Sequence, residues 1–487
     1  MKKNDLLLLV SIATYSLLFY QQSIGINFLI FTIVLQVFSL IRKPLLFMNN
    51  AWIAASAGAL LSGICCALYG SELAMLANIV SLSLMAGFSV ATDSSLIFAG
   101  FYSVFSYITS WFELLKEKIT SKARLQPSFY PLRSVLMITV LPVLVLILFL
   151  NLYRSSNPLF QQFLENLKFD FISIGWLFFT LGGAIVLLGF FYPKSINYLR
   201  NLDFRASDNL SSSSYLFSEE NRIKISSENL SGIVLLSLLN LLLLIVNVLD
   251  VQFLFITKEL PQGVTYSQFI HQGIYTLIVS VLLAIGIILY YFKGSLNFFK
   301  DNKALKALTY IWIIQNAFLI VTCIAKNSIY IQEYSLTYKR IGVYVYLLLT
   351  FIGLFTTFIK IIYTKNNWFL FRKNSWAFYT ILILSCFVNW DLLIAKYNLT
   401  YKPNPDIRYL LSLSDTVLPE LLDYQPAPTS EKLSYTEVQE QENMNYQILY
   451  RQKQFLQKYK EQGWQSWNYN DYQVNEQLNI NAIKLND

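Results

Sequence analysis

Hydrophobic positions in this chain come in blocks: stretches of about 17 to 23 residues nearly free of charge alternate with short segments that hold most of the Lys and Arg. A helix of that length crosses a hydrocarbon core about 30 Å thick. Only helices and closed barrels satisfy their backbone hydrogen bonds there, and continuous apolar runs, unlike short alternating segments, predict helices. Eleven such spans are expected, near 5–20, 26–41, 52–70, 74–91, 134–153, 170–192, 231–250, 271–292, 307–325, 341–363 and 374–390. The expected fold is therefore all-α, a polytopic transmembrane helical bundle over 1–390 followed by a mainly helical soluble tail over 391–487.

A further apolar stretch, 94–112, decides the orientation of everything after it. With the N-terminus inside and 94–112 lying along the interface, the basic loops around Lys116, Lys194, Lys293 and Lys365 are all cytoplasmic; if it crosses, all of them move outside, against the positive-inside tendency. The expectation is thus N-terminus in, C-terminus out, with 94–112 as an interfacial helix. Residues 193–230, which include Ser211–Ser214 and mixed charge, read as a flexible cytoplasmic loop.

Composition agrees with this pattern. Of 487 residues 55% are hydrophobic and only 14% charged, against about a quarter charged in soluble domains. The net charge of +8 lies in the loops, where it reads as a topology signal; no nucleic-acid partner is expected. All four cysteines fall in expected spans and the chain has one histidine, so neither a disulfide framework nor a metal or other cofactor is expected. From Asp391 onward there are nine basic and thirteen acidic residues, as suits a tail outside the cytoplasm. Within it, Ser434 and Glu437 have capping-box spacing, and a helix near 435–462 is expected with Val438, Ile448, Leu449, Phe455, Leu456 and Tyr459 as its apolar face.

Chemistry is sparse. His271 enters a span at the outer face as a proton-handling group or, more simply, an interfacial polar residue. Tyr334, Thr337 and Arg340 recur every three residues and would share a helix face, while Asn389, Asp391, Lys396 and Asn398 cluster after the last span, Asp391 with Lys396 as a pair about one turn apart. Anchoring of helix ends at headgroup level explains both clusters as readily as a site does.

These residues also carry a resemblance. The stretches PQGVTYSQFIHQG (Pro261–Gly273), YSLTYKR (Tyr334–Arg340) and NWDLLIAKYNL (Asn389–Leu399) resemble a bacterial family of polytopic inner-membrane proteins known only as domain of unknown function number 4173, within a wider group numbered 4153. The family motifs are similar to Tyr-Gly-Leu-Thr-x-x-Arg and Asn-Pro-Asp-x-x-Ile-Ala-Arg-Tyr-Asn. This chain has Ser335 for the glycine, Trp390 for the proline and Lys396 for the arginine. The resemblance implies the membrane topology and no known chemistry.

Three functions fit the sequence. A non-catalytic membrane scaffold or assembly partner would use the tail, with its apolar helix face and the aromatics Trp464, Trp467, Tyr469 and Tyr472, to hold a protein partner beside the lipid bilayer. A transporter or channel for a small or lipid-like solute would use amides within the spans. An enzyme on lipid-linked substrates would bring the two polar clusters into one outer groove, although no nucleophile and base stand out.

Overall fold

A computed structural model describes residues 3–120, 141–160, 162, 173–210, 219–257, 266–424 and 435–484. The described residues are helical throughout, with no strand beyond a single bridge between Asn209 and Lys365. The helices are α1 Lys3–Phe19, α2 Ile26–Arg42, α3 Asn50–Tyr69, α4 Glu72–Val90, α5 Leu96–Thr120, α6 Leu141–Ser156, α7 Ile174–Phe191, α8 Asn197–Arg205, α9 Glu219–Gln252, α10 Tyr266–Tyr291, α11 Lys303–Tyr334, α12 Tyr338–Ile362, α13 Asn367–Ser385, α14 Trp390–Tyr401, α15 Ile407–Leu411, α16 Leu418–Asp423, α17 Tyr435–Glu461 and α18 Tyr469–Lys484. As far as they are described, each of the eleven expected stretches overlaps a helix, the last, 374–390, running past the end of α13 into the break at 386–389. Five helices are long and apolar enough to cross a membrane, or six if α13 and α14, which meet at 63°, form one bent span. The chain is a helical membrane protein.

It divides into two compact units, one of residues 1–204, 383–389 and 452–487, the other of 205–382 and 390–451. In the first unit, α3 and α4 form a tight antiparallel pair. Asn49 caps α3 by accepting from Trp52 N–H at 2.7 Å, Gly70 ends it with φ +60°, and Ser71 at once caps α4 through Ala74 N–H. The sequence sets two rows of small residues at four-residue spacing, Ala54, Gly58 and Ser62 and Ala55, Ala59 and Gly63; all but the half-buried Ala54 are buried, and Asn78 donates to the Ala59 carbonyl and Thr32 Oγ1 at 2.8 and 2.9 Å.

One end of this unit gathers the N-terminal turn of α1 with the C-termini of α2, α4 and α7. Arg42 donates to the carbonyls of Phe190 and Phe191 and to Ser89 Oγ, Lys43 to the Ser89 carbonyl at 2.7 Å, and Tyr192 to Asp5. Cations thus satisfy the free carbonyls that helix C-termini leave. Helix α5 stays near this end. Ala99 lies against Gly87 and Ser103 donates to the Ser83 carbonyl, yet a turn or two later Ser106 accepts from Lys194 N–H and Ser110 donates to the Tyr192 carbonyl. Helix α5 thus packs against the C-terminal halves of both α4 and α7.

Within the connector read as a flexible loop, residues 197–205 form α8, whose buried Asp203 accepts from Ser95 N–H at 2.6 Å. Asp208 accepts from Arg372 at 2.6 Å, and Leu210 N–H donates to the Thr364 carbonyl. These bonds fix 197–210 despite its low apolar content. Ser211–Ser214 lie outside the described residues.

The second unit is organised by α9 and α11, which run parallel, with α10 antiparallel to α9. Helix α9 is amphipathic in the inverted sense suited to lipid. Leu238, Leu241, Leu242, Leu244, Ile245, Val248 and Leu249 are each more than half exposed, whereas Asn229, Asn240, Asn247 and Asp250 are buried with Leu236 and Leu243.

Candidate functional site

Helix α11 stops because Ser335 takes φ +78° and ψ 167°, a region that the Cβ of any residue but glycine makes costly. The break places Tyr334 at the end of α11, Thr337 just before α12 and Arg340 in the first turn of α12. The three therefore do not share one helix face, contrary to their spacing. Arg340 instead turns back on the break: its Nη1 donates to the carbonyls of Tyr334 and Ser335, and its guanidinium lies 4.2 Å from the centre of the Tyr330 ring.

Helix α14 closes on this turn. Asn398, 1% exposed, accepts from Leu336 N–H at 2.7 Å and donates to the Leu336 carbonyl at 2.9 Å, so one amide satisfies both backbone groups of a buried residue. Asp391 accepts from the Tyr338 hydroxyl at 2.7 Å and from Ser414 N–H at 3.2 Å. Tyr409 accepts from Tyr338 N–H at 3.1 Å, and burial pushes its phenol above the ordinary range and keeps it neutral. Around these bonds Ile331, Leu336, Ile341, Ile394, Ala395, Leu410, Leu413, Val417, Leu421 and Ile448 form one apolar core, joining the YSLTYKR turn, α14 and the first part of the tail.

Two expected placements change. Asp391 does not pair with Lys396: a separation of five residues turns about 140° round a helix, and Lys396 faces Glu420 at 3.3 Å in a largely exposed pair. Asn389 belongs to the other unit, where it donates to Asn470 of α18 at 3.2 Å. His271 lies in the second turn of α10. Pro261–Thr265 and Ser434 fall outside the described residues.

The tail helix is bolted down by Arg451, which sequence reasoning did not single out. Its Nε meets Asp415 at 2.8 Å and its Nη atoms donate to the carbonyls of Leu411 and Leu413. Ile448 points inward with it, while Tyr446, Leu449 and Tyr450 are 68%, 57% and 54% exposed. Leu449 thus leaves the apolar face expected of it, since it sits about 100° round the helix from Ile448.

A second group also escaped the sequence. Lys326 Nζ lies 2.5 Å from Asp250 Oδ1, both side chains about nine-tenths buried, and Thr322 donates to Asp250 Oδ2 at 2.9 Å. The pair ends a polar seam between α9 and α11: Asn240 donates to the Leu308 carbonyl and accepts from Gln315, and Asn247 donates to the Gln315 carbonyl. A signal was present, because Asp250 continues the spacing of seven set by Leu236 and Leu243, and Lys326 follows Leu319 and Cys323 on the buried stripe of α11.

Among the described residues no group of three or more His, Cys, Asp or Glu is placed to hold a metal ion. The polar atoms of the turn are directed at backbone groups and at one another, an arrangement that fixes chain segments. No curated protein and no solved structure matches the chain. A family model does, over residues 6–424, and the chain belongs to the family described as Domain of unknown function (DUF4153), the wider of the two groups it resembles.

Proposed function

We propose that the protein is a non-catalytic, multi-pass scaffold of the bacterial inner membrane, oriented N-terminus in and C-terminus out, which presents the first part of α17 to a protein partner. The observation that carries this reading is the use made of the stretches Tyr334–Arg340 and Trp390–Leu399. Their hydrogen bonds hold the α11–α12 turn, α14 and the start of the tail around one core, Arg451 adds α17, and the face holding Tyr446, Leu449 and Tyr450 is left outward. The positive-inside tendency supports an interfacial position for 94–112, because that position keeps the later basic loops on one side. A photo-cross-linking residue at Tyr446 or Tyr450 in living cells is expected to give one adduct of constant mass, lost when Arg451→Ala unfastens the helix. Absence of any adduct from either position, with the protein folded, would count against the scaffold.

A transporter or channel is the second reading, favoured by the buried Asp250–Lys326 pair and its seam, since charges inside membrane helices commonly mark ion or solute paths. The paired replacement Asp250→Leu with Lys326→Met separates the readings. It abolishes a transport function while leaving the fold intact, and leaves a scaffold working.

A further inference from the structure

The end of the tail sits against the helix ends of the first unit opposite to Arg42. Ser23 N–H donates to Ser466 Oγ and Ile26 N–H to the Trp467 carbonyl, both at 2.8 Å, and Ser466 Oγ donates to Gln22 Oε1. Gln465 reaches back to the Leu17 carbonyl in the last turn of α1. Gly25 leaves no room for a Cβ, which would lie 2.5 Å from the backbone of Ser466 and Trp467. Helix α18 then packs on α3, with Val474 and Leu478 buried.

This seating fixes the depth of four aromatic residues. Trp464, Trp467, Tyr469 and Tyr472 are 59%, 40%, 43% and 38% exposed, although the segment carrying them is held by its own backbone. Their segment meets the ends of α1 and α3, where Gln465 reaches the Leu17 carbonyl and Asn468 lies against Gly70; the Leu17 side chain is itself 65% exposed. Residues 462–470, QGWQSWNYN, carry no charge. Trp464, Trp467 and Tyr469 on an uncharged segment, with Tyr472 one turn on donating to Glu476, match the chemistry of the headgroup layer, where Trp and Tyr collect beside charged groups.

We propose that Trp464, Trp467, Tyr469 and Tyr472 form an interfacial anchor whose partner is the lipid surface, so that the end of the tail lies along the bilayer instead of projecting into water. The inference rests on α1–α3 crossing the membrane and is independent of any partner at Tyr446 and Tyr450. It removes these aromatics from the surface expected to meet a protein.

The test uses the full-length protein in phosphatidylcholine nanodiscs. Because the chain has nine tryptophans, the emission lost in the Trp464→Phe, Trp467→Phe variant isolates the two rings. That emission is expected to be quenched by lipids brominated near the headgroup and spared by lipids brominated near the chain ends. Quenching by aqueous iodide alone would place the rings in water and overturn the proposal. Should the double variant fail to fold, a nitroxide at Trp464→Cys, with the four native cysteines replaced by Ala, reads the same depth. Collision with oxygen above that with a water-soluble nickel chelate supports the anchor; a dominant chelate signal, or shielding from both by a covering protein, contradicts it.

Discussion

At Ser335 the backbone adopts a conformation suited to glycine. Ser335→Gly should therefore stabilise the protein by about 1 kcal/mol or more, seen as a higher unfolding temperature in detergent; no change would show that the turn stores no strain. Trp390 opens α14 and packs on the core, and Lys396 pairs at the surface with Glu420. Asn398→Ala leaves the N–H and C=O of Leu336 buried without partners and should destabilise by about 2 kcal/mol or more, measured by the same unfolding assay, with near-neutral behaviour contradicting the geometry.

At the scale of elements, the Asp250–Lys326 pair joins α9 to α11 where both are otherwise apolar. Lys326→Met strands a buried carboxylate and should cost about 3–5 kcal/mol. Adding Asp250→Leu should recover most of that loss, and a double-mutant cycle without coupling would show that the two do not meet. Gly25→Val pushes Ser466 and Trp467 off the α1–α2 turn, and limited trypsin digestion should then cut at Lys453, Lys458 or Lys460 in the variant and spare the native chain. Most helices were legible in the sequence because a lipid-crossing helix must be apolar for its whole length. A break between α11 and α12 was legible as the gap between the expected spans 307–325 and 341–363, but its place at Ser335 was not, since serine carries no signal for a positive φ. Asp250 and Lys326 were visible as charges near span ends, but their meeting depends on the parallel register of α9 and α11, which no local pattern records. Tyr334, Thr337 and Arg340 were read as one cluster and Asn389, Asp391, Lys396 and Asn398 as another, and the structure brings Asn398 to Leu336 and Asp391 to Tyr338 through tertiary contacts that their spacing could not supply.

For the whole molecule, the proposed orientation assigns the basic loops to one side of the membrane and the acidic tail to the other. Arg340, expected outside against the positive-inside tendency, is engaged with the carbonyls of Tyr334 and Ser335 and the ring of Tyr330, which gives it a structural reason to be there. In the first unit, the N-terminal turn of α1 and the docked end of the tail lie at opposite ends, as an inside N-terminus and an outside C-terminus require. The scaffold reading depends on that arrangement, and the arrangement depends on α5 not crossing. The most direct measurement is labelling of single cysteines, placed in a background free of native cysteine, by a membrane-impermeant maleimide in intact and permeabilised cells. The account predicts that Lys402→Cys and Tyr446→Cys are labelled in intact cells, and that Lys116→Cys, Lys194→Cys and Lys365→Cys are labelled only after permeabilisation. Labelling of Lys116 and Lys365 from outside, with Tyr446 protected, would mean that α5 crosses, invert every later segment and put the tail on the wrong side for the function proposed.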